Sequence, residues 1–138
     1  MPRSASVLPD TNVVLRYLLK DVPDQYERAE KFFEDVRTGK AKAVILESVL
    51  VECVYILLKF YKVPKRQVAE SLIGLLQYKG LANRDKADLV AALQTFAQQS
   101  IDIVDCVLLA KARHGTGRLL SFDKDLNKLS QILPGAAR

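Results

Sequence analysis

Apolar positions along the chain fall into short blocks and long ones. SVL at Ser6–Leu8, AVIL at Ala43–Leu46 and RLLSF at Arg118–Phe122 are brief, β-compatible runs. Leu81–Asn83 and Ile132–Leu133 are two weaker strand candidates. Pro9 and Asp10 close the first run, as expected where a residue without an N–H ends a strand. The longer blocks carry helical spacing. Val13–Leu19 reads as a buried turn or two, with Thr11 or Asn12 as the expected cap. DQYERAEKFFEDV, opening at Asp24, places Tyr26, Ala29, Phe32, Phe33 and Val36 on one face, and Gly39 stops it.

Glu47–Tyr61 predicts a long apolar helix, and Pro64 opens another with Val68, Leu72, Leu75 and Leu76 as its stripe. Asp85 and Asp88, three residues apart, look like the capped start of a helix bearing Leu89, Ala92, Leu93 and Phe96. Ile101–Arg113 and Asp125–Leu129 complete the helices. Strands alternating with helices predict a three-layer α/β domain around a mainly parallel sheet. There is no internal repeat or linker, so the expectation is one domain over residues 1–138 with a frayed tail at about 135–138.

Composition narrows the picture. The chain has 138 residues, long enough for a real core, and no apolar run approaches the ~20 residues that span a bilayer. The start, MPRSASVLPD, lacks the apolar stretch of a signal peptide, so a cytoplasmic protein is expected. Cys53 and Cys106 sit in apolar runs and read as core fillers in a reducing compartment, and the single His argues against a Cys/His zinc set. Net charge is +5, mildly favouring a polyanionic partner. The basic residues, among them Lys59, Lys62, Lys65, Arg66, Lys111, Arg113, Arg118, Lys124 and Lys128, read as a spread surplus rather than a base-stacking platform.

Four acids do not fit a polar surface. Asp10 and Asp123 directly follow strand candidates, where ligands collect in parallel α/β sheets. Glu52 is the lone charge in VLVECVYILL, and Asp105 is ringed by Val, Cys and Leu in IDIVDCVLLA; both are expected to face inward. A bland alternative exists for each. Asp10 and Asp123 are also suited to capping a following helix, Asp105 to the third helical position behind an Asp102 cap, and Glu52 to an ion pair with Arg16 or a Lys. Four converging carboxylates repel unless a cation joins them, and an all-oxygen set suits Mg²⁺ or Mn²⁺. Thr11 and Ser121 flank the strand-end acids and are suited to orienting them, or simply to capping.

These residues carry a resemblance. DTNVVLRYLL at Asp10–Leu19, the Glu in SVLVECVYIL, DIVDCVLLAKA at Asp102–Ala112 and SFDKDL at Ser121–Leu126 resemble the PIN domain, and within it the VapC toxins of type II toxin–antitoxin systems. Each motif is short, but the four stand in order from Val7 to Leu133. Pro9 departs from the apolar residue more usual before the first motif, and His114 lies where the family varies. The resemblance implies a Rossmann-like α/β/α fold with four or five strands and a Mg²⁺- or Mn²⁺-dependent ribonuclease. It implies Asp10, Glu52, Asp105 and Asp123 as the acidic quartet, Thr11, Asn12 and Ser121 as supporting residues, and Asp125 as a less regular second acid. It also implies a homodimer, a cognate antitoxin whose C-terminal segment crosses the site, and structured RNA, tRNA prominent, as substrate.

The expected chemistry is metal-assisted phosphodiester hydrolysis without a covalent nucleophile, and with His114 not acting as general base. Glu52 is expected to point at Asp10 and Asp123. The competing reading is a PIN-like RNA-binding module without turnover. An aspartyl-nucleophile phosphatase would want a second Asp two residues after Asp10, where Asn12 stands.

Overall fold

The structure is a computed structural model and describes residues 5–115 and 117–132. Contacts divide the chain into two compact units, Met1–Lys86 and Ala87–Arg138. The first contains α1 (Thr11–Leu19), α2 (Pro23–Thr38), α3 (Glu47–Tyr55) with a π turn continuing it over Ile56–Phe60, and α4 (Lys65–Leu76). The second contains α5 (Lys86–Gln98, opening at the boundary), α6 (Ile103–Arg113) and α7 (Lys124–Ile132).

In the first unit the three short apolar segments run parallel, in the order Val7, Ala43, Leu81, joined by single bridges. Val7 donates to the Lys42 carbonyl at 2.8 Å and accepts from Val44 at 3.0 Å; Ala82 donates to the Ala43 carbonyl at 2.8 Å. Beyond Leu81 the ladder continues through a side chain. Asn83 Oδ1 accepts the Ile45 N–H at 2.9 Å, and its Nδ2 donates to the Ile45 carbonyl at 2.7 Å. An amide side chain has one acceptor and two donors, so it can replace a backbone unit here. Gly80 makes the close approach possible. A Cβ there would sit 2.0 Å from the Ala41 carbonyl oxygen and 2.8 Å from that of Val36.

Helix patterning explains the core. Ala29, Phe33 and Val36 are the buried stripe of α2, as the spacing predicts, while Tyr26 and Phe32 are half-buried. Phe33 is fully buried and stacks on Tyr17 of α1 with ring centroids 4.6 Å apart. Truncating such a residue to Ala costs about 3–5 kcal/mol. Gly39 ends α2 at φ 90°, a conformation that favours glycine. Val68, Leu72, Leu75 and Leu76 are all buried on α4. In the second unit Leu89, Leu93, Ile103, Cys106 and Leu109 form the centre, and α7 adds Leu126.

Several expectations are corrected. RLLSF at Arg118–Phe122 forms no bridge; Leu120 and Phe122 are 91% and 101% exposed. The described residues therefore hold three bridged segments, not four or five strands. Ile132 ends α7 rather than opening a strand, and Leu133 and the tail at 135–138 lie outside the described residues. Asp10, not Thr11 or Asn12, caps α1. Asp88 does not cap α5: it is buried and pairs with Nδ1 of His114, the residue that follows α6.

Candidate functional site

Asp10 stands where the first bridged segment turns into α1. Its Oδ1 accepts the Val13 N–H at 3.0 Å, which satisfies one orphan donor of the first turn. Thr11, the first residue of α1, directs its hydroxyl away from its own helix. Thr11 Oγ1 donates to Glu52 Oε1 at 2.5 Å, a contact between α1 and α3. Glu52 therefore meets a hydroxyl rather than a cation. Arg16, its suggested alternative partner, donates to both oxygens of Asp21 at 2.9 Å and to the Tyr61 hydroxyl at 3.0 Å.

Glu52 is exposed, which corrects the inward-facing expectation. It lies two residues after the buried Leu50, so an α-helix turns it about 200° away from that face. The apolar residues around it made the whole segment look buried, whereas the stripe is Leu50, Cys53, Val54 and Leu57. Cys53 follows Glu52 and is fully buried. Burial, reinforced by the negative charges of Glu52 and Asp10, pushes its thiol up to about 12. The same coupling shows that both acids lie close enough to Cys53 to repel its thiolate. Asn12 is exposed on the first turn of α1, beside an open cavity of about 590 Å³ that Asp10, Asn12, Arg16 and Arg28 help to line.

The second unit brings together the other two acids. Asp102 caps α6, its Oδ1 accepting the Ile103 N–H at 2.9 Å, and Asp105 is then the third helical residue. Asp105 is half-buried, and its carboxyl is pushed above the ordinary Asp range, first by burial and then by the charges of Asp102 and Asp123. Asp123 caps α7. Its Oδ1 accepts from the N–H of Asp125 at 2.8 Å and of Leu126 at 3.1 Å. Ser121 Oγ in turn accepts the Asp123 N–H at 2.9 Å. Asp125 is exposed, and its backbone serves Asp123. Asn127 was not among the expected site residues; its Nδ2 donates to the Ser121 carbonyl at 2.9 Å and fixes the turn that presents Asp123. The signal was present, since Asn six residues after Ser121 falls within the first turns of a capped helix.

The capping roles first set against Asp10 and Asp123 are thus real, yet each cap uses one oxygen, Oδ1, and leaves Oδ2 without a hydrogen bond among the described residues, while Asp105 sits in the first turn of a helix that Asp102 caps. Each unit joins one strand-end or loop-end acid to one helix acid: Asp10 with Glu52, Asp105 with Asp123. Among the described residues no three His, Cys, Asp or Glu gather into a set that would by itself hold a metal ion. The donor chemistry nevertheless fits a hard cation. The donors are carboxylate and hydroxyl oxygens, and the neighbouring sulfur of Cys53 is a buried thiol that stays protonated at neutral pH.

The PIN domain family model matches residues 7–132, a span that contains every acid just described. A VapC ribonuclease from Aquifex aeolicus (strain VF5) is 27% identical over 123 residues, covering 88% of this chain and 90% of that protein. No solved structure matches significantly. With a match over nearly its whole length and the motifs in their expected order, the chain belongs to the PIN domain family.

Proposed function

We propose that the chain is a Mg²⁺- or Mn²⁺-dependent endoribonuclease, the toxin of a VapBC-type toxin–antitoxin module acting on structured RNA, tRNA among its candidates, in the cytoplasm. Family membership and the likeness to a protein named a VapC ribonuclease support a nuclease. The observation that carries the proposal is the Thr11–Glu52 hydrogen bond beside Asp10. It holds an exposed carboxylate in one orientation on a helix that would otherwise leave it to swing in solvent.

Asp10, Glu52, Asp105 and Asp123 would hold the cation. Bound there, it supplies Lewis acidity to the scissile phosphate and to the attacking water. Thr11 keeps Glu52 Oε1 occupied as an acceptor, so Oε2 is the oxygen offered to water. Val13 N–H does the same for Asp10, leaving Oδ2, and the first turn of α7 does it for Asp123. A water oxygen bonds to phosphorus and the bond to the departing ribose oxygen breaks. The proton released by the attacking water is passed to solvent, and the departing oxygen takes its proton from solvent. The surplus of basic residues attracts the phosphate backbone.

The test follows total RNA treated with the parent, Asp10→Asn and Asp105→Asn, with Mg²⁺ or with EDTA. Asn caps a helix as well as Asp, so Asp10→Asn removes charge and keeps the fold. Cleavage by the parent with Mg²⁺ alone, lost in both variants, is the expected result. RNA binding by the parent with no metal-dependent cleavage overturns the enzyme in favour of a binding module. Cleavage that survives EDTA overturns the metal mechanism. The homodimer and the antitoxin rest on the same likeness, and are checked by sedimentation and by co-purification with the product of an adjacent small gene.

A further inference from the structure

The α3 helix does not end in an ordinary way. Beyond Tyr55 it widens into the π turn Ile56–Phe60, closed by Tyr61 N–H to the Ile56 carbonyl at 3.2 Å and followed by Val63 N–H to the Leu57 carbonyl at 2.9 Å. π turns are rare and concentrate at functional sites. This one has a defined effect on Phe60. In an unbroken α-helix Phe60 would fall seven residues after buried Cys53 and three after buried Leu57, on their face. The wider turn rotates it off that face, and Phe60 is 75% exposed.

Its surroundings are aromatic and basic. Tyr61 meets the Phe60 ring edge-on, centroids 4.9 Å apart at 81°, leaving a Phe60 face open. Lys59 lies over the Tyr55 ring at 5.6 Å. Lys62, exposed, adopts the left-handed conformation at φ 57°. The segment Lys59–Arg66 carries Lys59, Lys62, Lys65 and Arg66 and no acid. Part of the spread basic surplus falls in this one segment, with Phe60 and Tyr61 between Lys59 and Lys62 in the chain. Arg16 ties it to the acids: Asp10 caps α1, Thr11 opens it, and Arg16 of the same helix donates to the Tyr61 hydroxyl at 3.0 Å. Glu52 and Phe60 are eight residues apart on one continuous element, about 12 Å at helical rise.

We propose that Phe60, flanked by Lys59 and Lys62, is a stacking platform for an unpaired base of the RNA, one that positions the strand running past Glu52. This rests on the RNA-cleaving function proposed above and adds a binding subsite to it. Base–aromatic stacking with phosphate contacts from neighbouring lysines is how single strands are held without sequence preference. Charge selects the occupant. Lys59 and Lys62, on either side of Phe60 and Tyr61 in the chain, attract a polyanion.

The test measures binding rather than turnover, in EDTA, with the full chain and a short fluorescein-labelled oligouridylate. The chain has no Trp, so Phe60→Trp installs a single reporter. Its emission is expected to quench on saturation with RNA, and Phe60→Ala to weaken binding about 5- to 100-fold at unchanged Tm. Lys59→Ala with Lys62→Ala is expected to lower the slope of log K against log salt by about 1.4. Unmoved Phe60→Trp emission, or Phe60→Ala binding within two-fold of the parent, overturns the platform and leaves the nuclease standing. A parent that does not bind the oligouridylate overturns the platform, and the nuclease is judged separately by its cleavage of total RNA with Mg²⁺. Binding that depends on Phe60, in a parent that never cleaves with Mg²⁺, upholds the platform and removes the nuclease.

Discussion

Asp10 and Asp123 are two versions of one device. Each ends a short apolar segment, and each uses Oδ1 to cap the helix that follows. The segments differ. Val7 is bridged to Ala43, whereas RLLSF is unbridged with Leu120 and Phe122 in solvent. The adjacent hydroxyls differ too. Thr11, just after Asp10, reaches 41 residues along the chain to Glu52, while Ser121, just before Asp123, folds back on the N–H of Asp123 itself. One hydroxyl builds a tertiary contact between acids and the other shapes a local turn. The same residue types at the end of similar runs thus do different work, according to whether the segment is held in a sheet.

The largest expected effects test the acids themselves. Asp10→Asn and Asp123→Asn keep their caps, so RNA cleavage should fall more than about 100-fold with Tm nearly unchanged, since losing a ligand exceeds the 10- to 100-fold cost of losing its support. If either variant retains parental rates, that acid is only a cap and the parallel breaks. Next come the hydroxyls. Thr11→Val should lower cleavage about 10- to 100-fold. Ser121→Ala should act on the turn instead, costing about 1 kcal/mol in denaturant unfolding and less activity than Thr11→Val. An equal loss of activity in the two would erase the distinction between tertiary and local roles.

Alanine at the caps gives a smaller effect. Asp10→Ala and Asp123→Ala should each lose about 1 kcal/mol of stability beyond the Asn variants. Smallest is a pH effect at Asp105. Its carboxyl binds its proton more tightly folded than unfolded, so the folded state holds more protons between the ordinary Asp range and the raised value. Stability is present below that window and falls as pH rises through it. Asp105→Asn should flatten this fall and raise Tm at neutral pH in metal-free buffer, read by thermal melts over pH. A steeper fall in the variant would reverse the assigned cause.

Much of the fold was legible, because helical stripes survive in the sequence: α2 with Phe33, and α4 with its four apolar positions, appear where the period predicts. Three features were not. RLLSF has strand composition, but pairing is a tertiary event that composition does not decide. The exposure of Glu52 is hidden because Val51 and Tyr55, with Ile56 just beyond, make more than one side of α3 apolar, which blurs the period. The π turn leaves no mark in a run such as ILLKF, where every register looks apolar. The candidate acids stand out through their motif order, while the partner of Glu52 depends on a rotamer of Thr11 that no sequence pattern encodes.

Cys53 and Cys106 have a practical consequence. Each is fully buried and directly follows one of the helix acids, one in each unit. A buried thiol reacts with an alkylating reagent only when its helix opens, so the two labelling rates are separate clocks for the surroundings of Glu52 and of Asp105. Matching rates would show that the two units melt as one body, and unequal rates that one half of the acid set comes apart before the other.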